Sequence, residues 1–298
     1  MFITPNRLYK MLLAVLGVVF GLALIVAVWS DYGLAKTGGK SLEVNFLDIG
    51  QGDSILIKTP FGQNILIDGG PDNLIIRRLA ENLPFWERTI DLMILTHPHD
   101  DHVGGLIEVL KRYRVKKILY TGVNHTSSSY LAWLSEIKEK KVPLVIVDRP
   151  QAINLGPNCY LQILFPQKNL SGQTVENLNN TSIIARLIYK EVKFLFTGDA
   201  EQEEENELLS TDADLSAQIL KVGHHGSHTS SGERFLAAVR PQIAVIQVGA
   251  GNQFKFPSYR ILKRLKKMGV KVYRTDWNGT IKIITNGQNF KVMVNNSF

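Results

Sequence analysis

Cysteine is nearly missing from these 298 residues. Cys159 stands alone between Asn158 and Tyr160, which excludes an intramolecular disulfide framework and any multi-cysteine metal site. In that setting it reads as a small buried hydrophobe. Internal repeats are missing too, which excludes solenoid and array architectures. Acidic residues are outnumbered, 27 against 34 basic ones, and the net charge of +7 biases the chain mildly toward anionic partners without defining nucleic-acid binding. Apolar residues are plentiful: 45% hydrophobic and 9% aromatic content exclude wholesale disorder and suffice for a sizeable core.

Charge disappears entirely from residues 11–29, a run with Met11 and Trp29 at its ends. As a helix these nineteen residues rise about 28 Å, one hydrocarbon core, so the run predicts a membrane anchor. Arg7 and Lys10 precede it, which favours a cytoplasmic N-terminus and a single-pass protein whose remainder is extracytoplasmic. The alternative is a secretory signal cleaved near Gly33-Leu34-Ala35, although signal h-regions of about 7–15 residues are shorter. Residues 31–40, with Gly33, Gly38 and Gly39, read as a linker. The expected organisation is a stub and anchor over 1–30, a linker over 31–40 and one folded domain over 41–298.

Within that domain short apolar runs alternate with amphipathic stretches at 74–83, 107–113, 129–140, 233–239 and 259–268. Strands lead, helices are interspersed, and hairpins recur in both halves, so the expected class is α/β with mixed sheets and not a purely parallel doubly wound fold. Residues 166–180 are polar and long enough for a functional loop. The acidic run 201–207 reads as the solvated first turn of a helix.

Histidines are few, seven in all, yet three of them fall with a carboxylate in the order His97-x-His99-x-Asp101-His102. An apolar strand-like run, Asp91-Leu92-Met93-Ile94-Leu95, delivers this cluster, and Gly104-Gly105 opens a helix after it. Imidazoles and carboxylates gathered at a strand end are the donors that zinc and similar borderline metals take. Two further apolar strands end in such donors, at Asp199 and at His224-His225. His97 and His99, two apart, can face one metal from an extended loop, Asp101 and His102 can serve a second, and Asp199 offers two oxygens as a bridge. Of the adjacent pair, His224 is the expected ligand, because it follows the strand and Gly223 directly.

The combination Thr96-His97-Pro98-His99-Asp100-Asp101-His102, Thr197-Gly198-Asp199 and Gly223-His224-His225-Gly226 resembles the metallo-β-lactamase fold superfamily. More narrowly, Leu47-Asp48-Ile49-Gly50-Gln51-Gly52-Asp53, Leu66-Ile67-Asp68-Gly69-Gly70 and Leu220-Lys221-Val222-Gly223-His224-His225-Gly226-Ser227 are similar to the C-terminal hydrolase domain of ComEC-type DNA-uptake proteins and its stand-alone relatives. The resemblance implies an αβ/βα four-layer sandwich of two mixed sheets holding two divalent ions, Zn or Mn. His97, His99 and Asp199 would hold the first ion, and Asp101, His102, Asp199 and His224 the second. Asp101 and Asp199 would be the catalytic carboxylates. Asp48, Asp53, Asp68, Asn180, Ser182, His225, Ser227 and Asn252 are candidates for substrate contact or for support of the ligands. Two departures stand out. No histidine lies between His125 and His224, where many superfamily members supply a third ligand to the first metal; Asn179-Asn180-Thr181-Ser182 occupies that region. Phe256 stands where the ComEC-like branch often carries a histidine before proline.

The expected protein is therefore a membrane-anchored metallohydrolase in which a metal-bound hydroxide attacks phosphorus, most consistent with a phosphodiesterase or nuclease of the DNA-uptake type. Arg260, Lys263, Arg264, Lys266 and Lys267 lie on one predicted helix, which reads either as an amphipathic surface helix or as a phosphate-tracking patch. Phe254, Phe256 and Trp277 would add base stacking. Two other readings stand beside this one: a small-molecule or lipid-headgroup phosphodiester hydrolase, and a non-catalytic, metal-stabilised binding module at the surface.

Overall fold

The computed structural model describes residues 41–294. The expected stub and anchor (1–30) and the linker (31–40) lie outside the described residues. Among the described residues no helix is long and apolar enough to cross a membrane.

Among the described residues seventeen strands form two large mixed sheets and one small pair. The first-half strands are β1 (Leu42–Phe46), β2 (Ile55–Lys58), β3 (Asn64–Ile67), β4 (Thr89–Ile90), β5 (Leu92–Ile94), β6 (Arg114–Val115), β7 (Ile118–Tyr120) and β8 (Leu144–Ile146). They are followed by β9 (Gln151–Gly156), β10 (Cys159–Phe165), β11 (Ile184–Tyr189), β12 (Val192–Phe196), β13 (Ile219–Lys221), β14 (Ile243–Ile246), β15 (Lys271–Arg274), β16 (Ile281–Thr285) and β17 (Phe290–Val294). The first sheet runs β17-β16-β1-β2-β3-β5-β7-β8 and the second β15-β14-β13-β12-β11-β10-β9, with β4 and β6 paired apart. The helices are α1 (Leu74–Asn82), α2 (Asp100–Arg112), α3 (Ser128–Lys140), α4 (Gln202–Leu209), α5 (Glu233–Val239), α6 (Tyr259–Lys267) and the short α7 (Thr275–Asn278).

The period-2 geometry of a strand sorts these residues into layers. Val44, Phe46, Ile55, Ile57, Ile65 and Ile67 face Leu161, Leu187, Phe194, Phe196 and Val245 across the space between the sheets. Leu56, Leu66 and Met93 point the other way and pack under Ile75, Leu79, Leu106, Val109 and Trp133 of α1 to α3. On the far side Ile184, Leu195, Leu220 and Ala244 pack under Leu208, Phe235, Leu236, Ile261 and Leu265 of α4 to α6. Three cores separate four layers, helices–sheet–sheet–helices, in agreement with the expected α/β class with mixed sheets. Strands covered on both faces read as unbroken apolar runs, which is why simple alternation is weak in this sequence.

Strand direction gives the sandwich two unlike ends. β1, β3, β5, β7 and β8 run in parallel sense, with β2 antiparallel between β1 and β3. β12, β13, β14 and β15 are likewise parallel. The loops after β3, β5, β12 and β13 therefore gather at one end. Close backbone approach secures that end: any Cβ on Gly105 would collide with the carbonyls of Gly69 and Asp72, so only glycine lets the second turn of α2 sit on the 68–72 loop.

The acidic run departs from expectation. Glu201 caps α4 in a capping box with Glu204, but Glu204 and Glu205 are buried, at 4% and 2% exposure. The Glu205 carboxylate accepts the Ser231 and Gly232 N–H groups at the start of α5. It fills unsatisfied donors of that helix end instead of meeting solvent.

Candidate metal centre

The opening His97–His102 cluster leaves β5 and enters α2, whose N-cap is His99. Its scaffold is Asp68 at the end of β3. The Asp68 carboxylate accepts the Thr96 N–H at 2.8 Å and the Thr96 hydroxyl at 2.7 Å, and pairs with His102 Nδ1 at 2.8 Å. With Nδ1 engaged, His102 turns Nε2 toward Asp199 Oδ2, 3.3 Å away. That Nε2 is buried without a hydrogen-bond partner. His225 is built the same way: Nδ1 contacts the Gln247 carbonyl at 2.9 Å, while Nε2 lies 3.2 Å from both Asp101 Oδ2 and Asp199 Oδ2. Asp101, His102, Asp199 and His225 thus present one donor atom each to a common point, all within 4.8 Å of one another.

These separations fit a shared cation, since tetrahedral bonds of about 2.0–2.1 Å set donor atoms roughly 3.3 Å apart. Charge points the same way. Burial opposes a proton on His102, but Asp199, Asp68 and Asp101 outweigh it and push the imidazole well above its ordinary range. Burial is likewise overcome at His225, chiefly by Asp199 and Asp101. Buried carboxylates here demand positive charge, and a divalent ion meets that demand in place of the protons. His97 and His99 sit alongside, His97 Nε2 lying 3.0 Å from His99 Nδ1. Burial, reinforced by His102, holds His97 well below the ordinary range, and burial also lowers His99. Neutral imidazoles are the ligand form. The four converging donors fit one divalent ion, and His97 and His99 stand beside them as the pair that another, neighbouring ion would share.

His225 supplies the ring expected from His224. Both residues have left-handed backbone, φ 46° and 50°, so the turn throws consecutive side chains to different sides. His224 Nδ1 contacts Glu201 Oε1 at 2.9 Å, and its ring meets Phe256 edge-on at a centroid distance of 5.5 Å. The region of the absent middle histidine places Ser182 against the site: its hydroxyl accepts the Asp199 N–H at 3.1 Å and lies 3.4 Å from His97 Nδ1. Asn180 turns to Glu203 instead, and its neighbour Asn179 approaches His224 Nδ1 at 3.4 Å.

Asp53 is at the centre, buried with Lys221 Nζ on its Oδ2 and His225 Nδ1 3.4 Å from its Oδ1. Asp48 is not: it pairs with Arg78 of α1 at 3.2 Å. Ser227 holds its loop through Thr229, whose hydroxyl donates to Glu201 at 2.9 Å. Asn252 ties the 249–256 loop together through Gly249 and Phe256 and touches no ligand. Lys221 is the functional residue that sequence reading passed over. Its side chain is 1% exposed, and its Nζ donates to the Gly198 carbonyl at 2.7 Å and stands 3.5 Å from Asp199 Oδ1. A lysine inside the apolar run Ile219-Leu220-Lys221-Val222 was the available signal, because a buried cation requires partners.

Asp199 is thereby divided, Oδ1 toward Lys221 and Oδ2 toward the imidazoles. Against burial, His225, His102 and Lys221 hold its carboxyl well below the usual range. Asp101 is held low by His102 and His225, again against burial, and its side chain is 32% exposed, the most open of the four converging donors.

The family model of the metallo-beta-lactamase superfamily matches residues 47–249. ComE operon protein 3 of Bacillus subtilis is 30% identical over 257 residues, 80% of this chain and 32% of the relative. Recombination protein 2 of Haemophilus influenzae is 28% identical, covering 81% of this chain and 28% of the relative. Competence protein ComA of Neisseria gonorrhoeae is 27% identical, covering 87% and 34%. The chain spans about a third of the length of these curated relatives. Among solved structures, CmlA, a diiron beta-hydroxylase from Streptomyces venezuelae, superposes with a TM-score of 0.50 at 14% identity over 78% of this chain and 52% of that chain, a likeness of fold alone. With most of its described length matched and its donors drawn from both sheets, the chain belongs to the metallo-beta-lactamase superfamily, as a metal-dependent hydrolase related to competence proteins.

Proposed function

We propose that this protein is a membrane-anchored phosphodiesterase acting on nucleic acid, with residues 1–30 as stub and anchor, 31–40 as linker and 41–298 as the hydrolase domain. In this reading the basic residues before the apolar run leave the hydrolase domain outside the cytoplasm. The observation that carries the reading is the juxtaposition of the four-donor cluster with an aromatic and basic rim. Phe256, against His224, stacks on Phe254 at 5.6 Å with 19° between the rings, and Phe254 is 54% exposed. Lys255 lies between them, and α6 starts three residues after Phe256, with Arg260 exposed in its first turn and Lys263, Lys266 and Lys267 following. Aromatic faces stack bases and lysine or arginine tracks phosphate. The names of the relatives, a competence protein and a recombination protein among them, support a DNA substrate.

The chain's own groups have separable tasks. Asp101, exposed on one side, orients the attacking water. Asp199, closed in behind it, fixes the imidazoles of His102 and His225. His224, braced by Glu201, borders the substrate side. Divalent ions, Zn or Mn by the imidazole–carboxylate donor set, supply Lewis acidity and activate water when bound. The test is hydrolysis by the full chain loaded with Zn, Mn or Mg, on single-stranded DNA, duplex DNA and a simple phosphodiester. Metal-dependent cleavage that Asp199→Ala abolishes is expected; equal turnover by that variant overturns the proposal.

A further inference from the structure

The end of the sandwich opposite the metal centre carries its own surface chemistry. The turn joining β2 to β3, the connection from α1 to β5, the connection from α2 to β7 and the descent from α3 to β8 all fall there, because β1, β3, β5, β7 and β8 begin at that end. Backbone hydrogen bonds tie these connections together: Arg114 N–H to Arg88 O at 2.7 Å, Lys116 N–H to Ile90 O at 3.0 Å and Asp91 N–H to Asn64 O at 2.8 Å. Large apolar side chains stand out from this rigid base. Phe85 is 81% exposed, Trp86 47% and Phe61 44%, and Phe85 and Trp86 meet edge-to-face at 4.8 Å.

Around them the charge is largely of one sign. Arg88, Arg112, Arg114, Lys116, Lys117, Lys140 and Lys141 are exposed at this end. α2 and α3 both point their C-terminal turns here, each with two basic residues in the last turn. Of the acidic groups, Asp91 is paired with Lys116 at 2.6 Å and Glu108 with Lys111 at 3.0 Å and with Arg112, while Glu87 and Glu139 stand among the basic residues. Exposed aromatics ringed by lysine and arginine match an anionic bilayer surface, where tryptophan and phenylalanine occupy the headgroup boundary and basic side chains meet lipid phosphates.

β1 enters the domain at this same end, at Leu42. The apolar run ends at Trp29, and residues 30–40 reach roughly 40 Å at full extension. A tether of that reach brings this end of the domain nearest the point where the run would leave a membrane. We infer that this end is a membrane-contacting face: Phe85 and Trp86 enter the interface of an anionic bilayer, the surrounding basic residues hold its headgroups, and the metal centre opens away from it. The inference rests on reading residues 11–29 as an anchor, and goes beyond it by fixing how the domain stands on the membrane.

The test uses the full chain in vesicles of phosphatidylcholine with about one-third phosphatidylglycerol, an anionic surface of the kind such patches bind. Cys159 is fully buried, so a polarity-sensitive fluorophore can be placed at Phe85→Cys or, as the opposite-end control, at Lys255→Cys. Quenching by lipids spin-labelled near the headgroup is then compared. Quenching at position 85 at least about twofold stronger than at 255, with the excess reduced in phosphatidylcholine alone, is expected of an interfacial face drawn by anionic lipid. Equal quenching at the two positions, or stronger quenching at 255, in protein that floats with the vesicles overturns the orientation and leaves the anchor standing. Protein that does not float with the vesicles overturns both.

Discussion

Lys221 Nζ stands 3.5 Å from Asp199 Oδ1 in the interior of the second sheet, with the Asp53 carboxylate against its other side. One cation thus serves two carboxylates, one of them a metal donor, and burial alone would lower its affinity for a proton; Asp53 and Asp199 reverse that and raise it. Breaking a buried pair by removing one partner costs about 3–5 kcal/mol, because the other charge is left uncompensated. Lys221→Met is therefore expected to lower the unfolding free energy by about that amount. Adding Asp53→Asn should restore part of the loss. Denaturant unfolding of the single and double variants measures both, and a single variant as stable as the parent refutes the pairing.

The two adjacent histidines should separate cleanly. His225→Ala removes a donor to the second ion and is expected to lower metal content by about one ion per chain and turnover by about 100-fold or more. His224→Ala leaves the four converging donors in place and should keep its metal. Elemental analysis of both proteins decides; metal loss in the His224 variant alone would reverse the assignment.

Asp68 acts through another residue. It aligns His102 by accepting from Nδ1, and Asn at 68 cannot serve His102 and both Thr96 donors as a carboxylate does. Asp68→Asn is expected to weaken metal binding by about 10–100-fold, read by chelator competition, with the folded circular dichroism spectrum retained. Unchanged affinity would remove Asp68 from the centre's support.

Glu205 sets a pH dependence. Burial pushes its carboxyl up to about 7 from an ordinary 4.5, against the Gly232 and Ser231 N–H groups and Arg264, which favour the anion. Between these values the folded chain keeps a proton that the unfolded chain has released, so this contribution is full below 4.5 and is lost as pH rises through about 7. Glu205→Gln should flatten the fall in melting temperature between about pH 5 and pH 8, with Glu204, also raised to about 7, retaining its own share. An unaltered slope would contradict the burial argument.

Much of the centre was legible because its donors are contiguous: His97 to His102 announce themselves without tertiary information, and the apolar runs before them and before Asp199 mark strand ends. What was hidden depended on geometry that spacing does not encode. His224 and His225 are one residue apart, and only the left-handed turn at both decides which faces the ions. Asp48 carries the same local glycine context as Asp53, yet an arginine on α1 captures it. Glu204 and Glu205 look solvated in a run of charges until α5 is packed over them. β9 carries no signal of its own in the sequence, since an edge strand with exposed Gln151, Ala152 and Asn154 has no apolar signature.

The four converging donors come from opposite halves of the chain, Asp101 and His102 from the first sheet's loops and Asp199 and His225 from the second's. During synthesis the first half therefore emerges with His97, His99, Asp101 and His102 but no opposing carboxylate. Ion capture at the second site has to wait more than a hundred residues, until Asp199 and His225 have both left the ribosome and the sheets have closed on one another. Loading with metal becomes a late checkpoint on assembly, passed only by a chain whose two halves have already met.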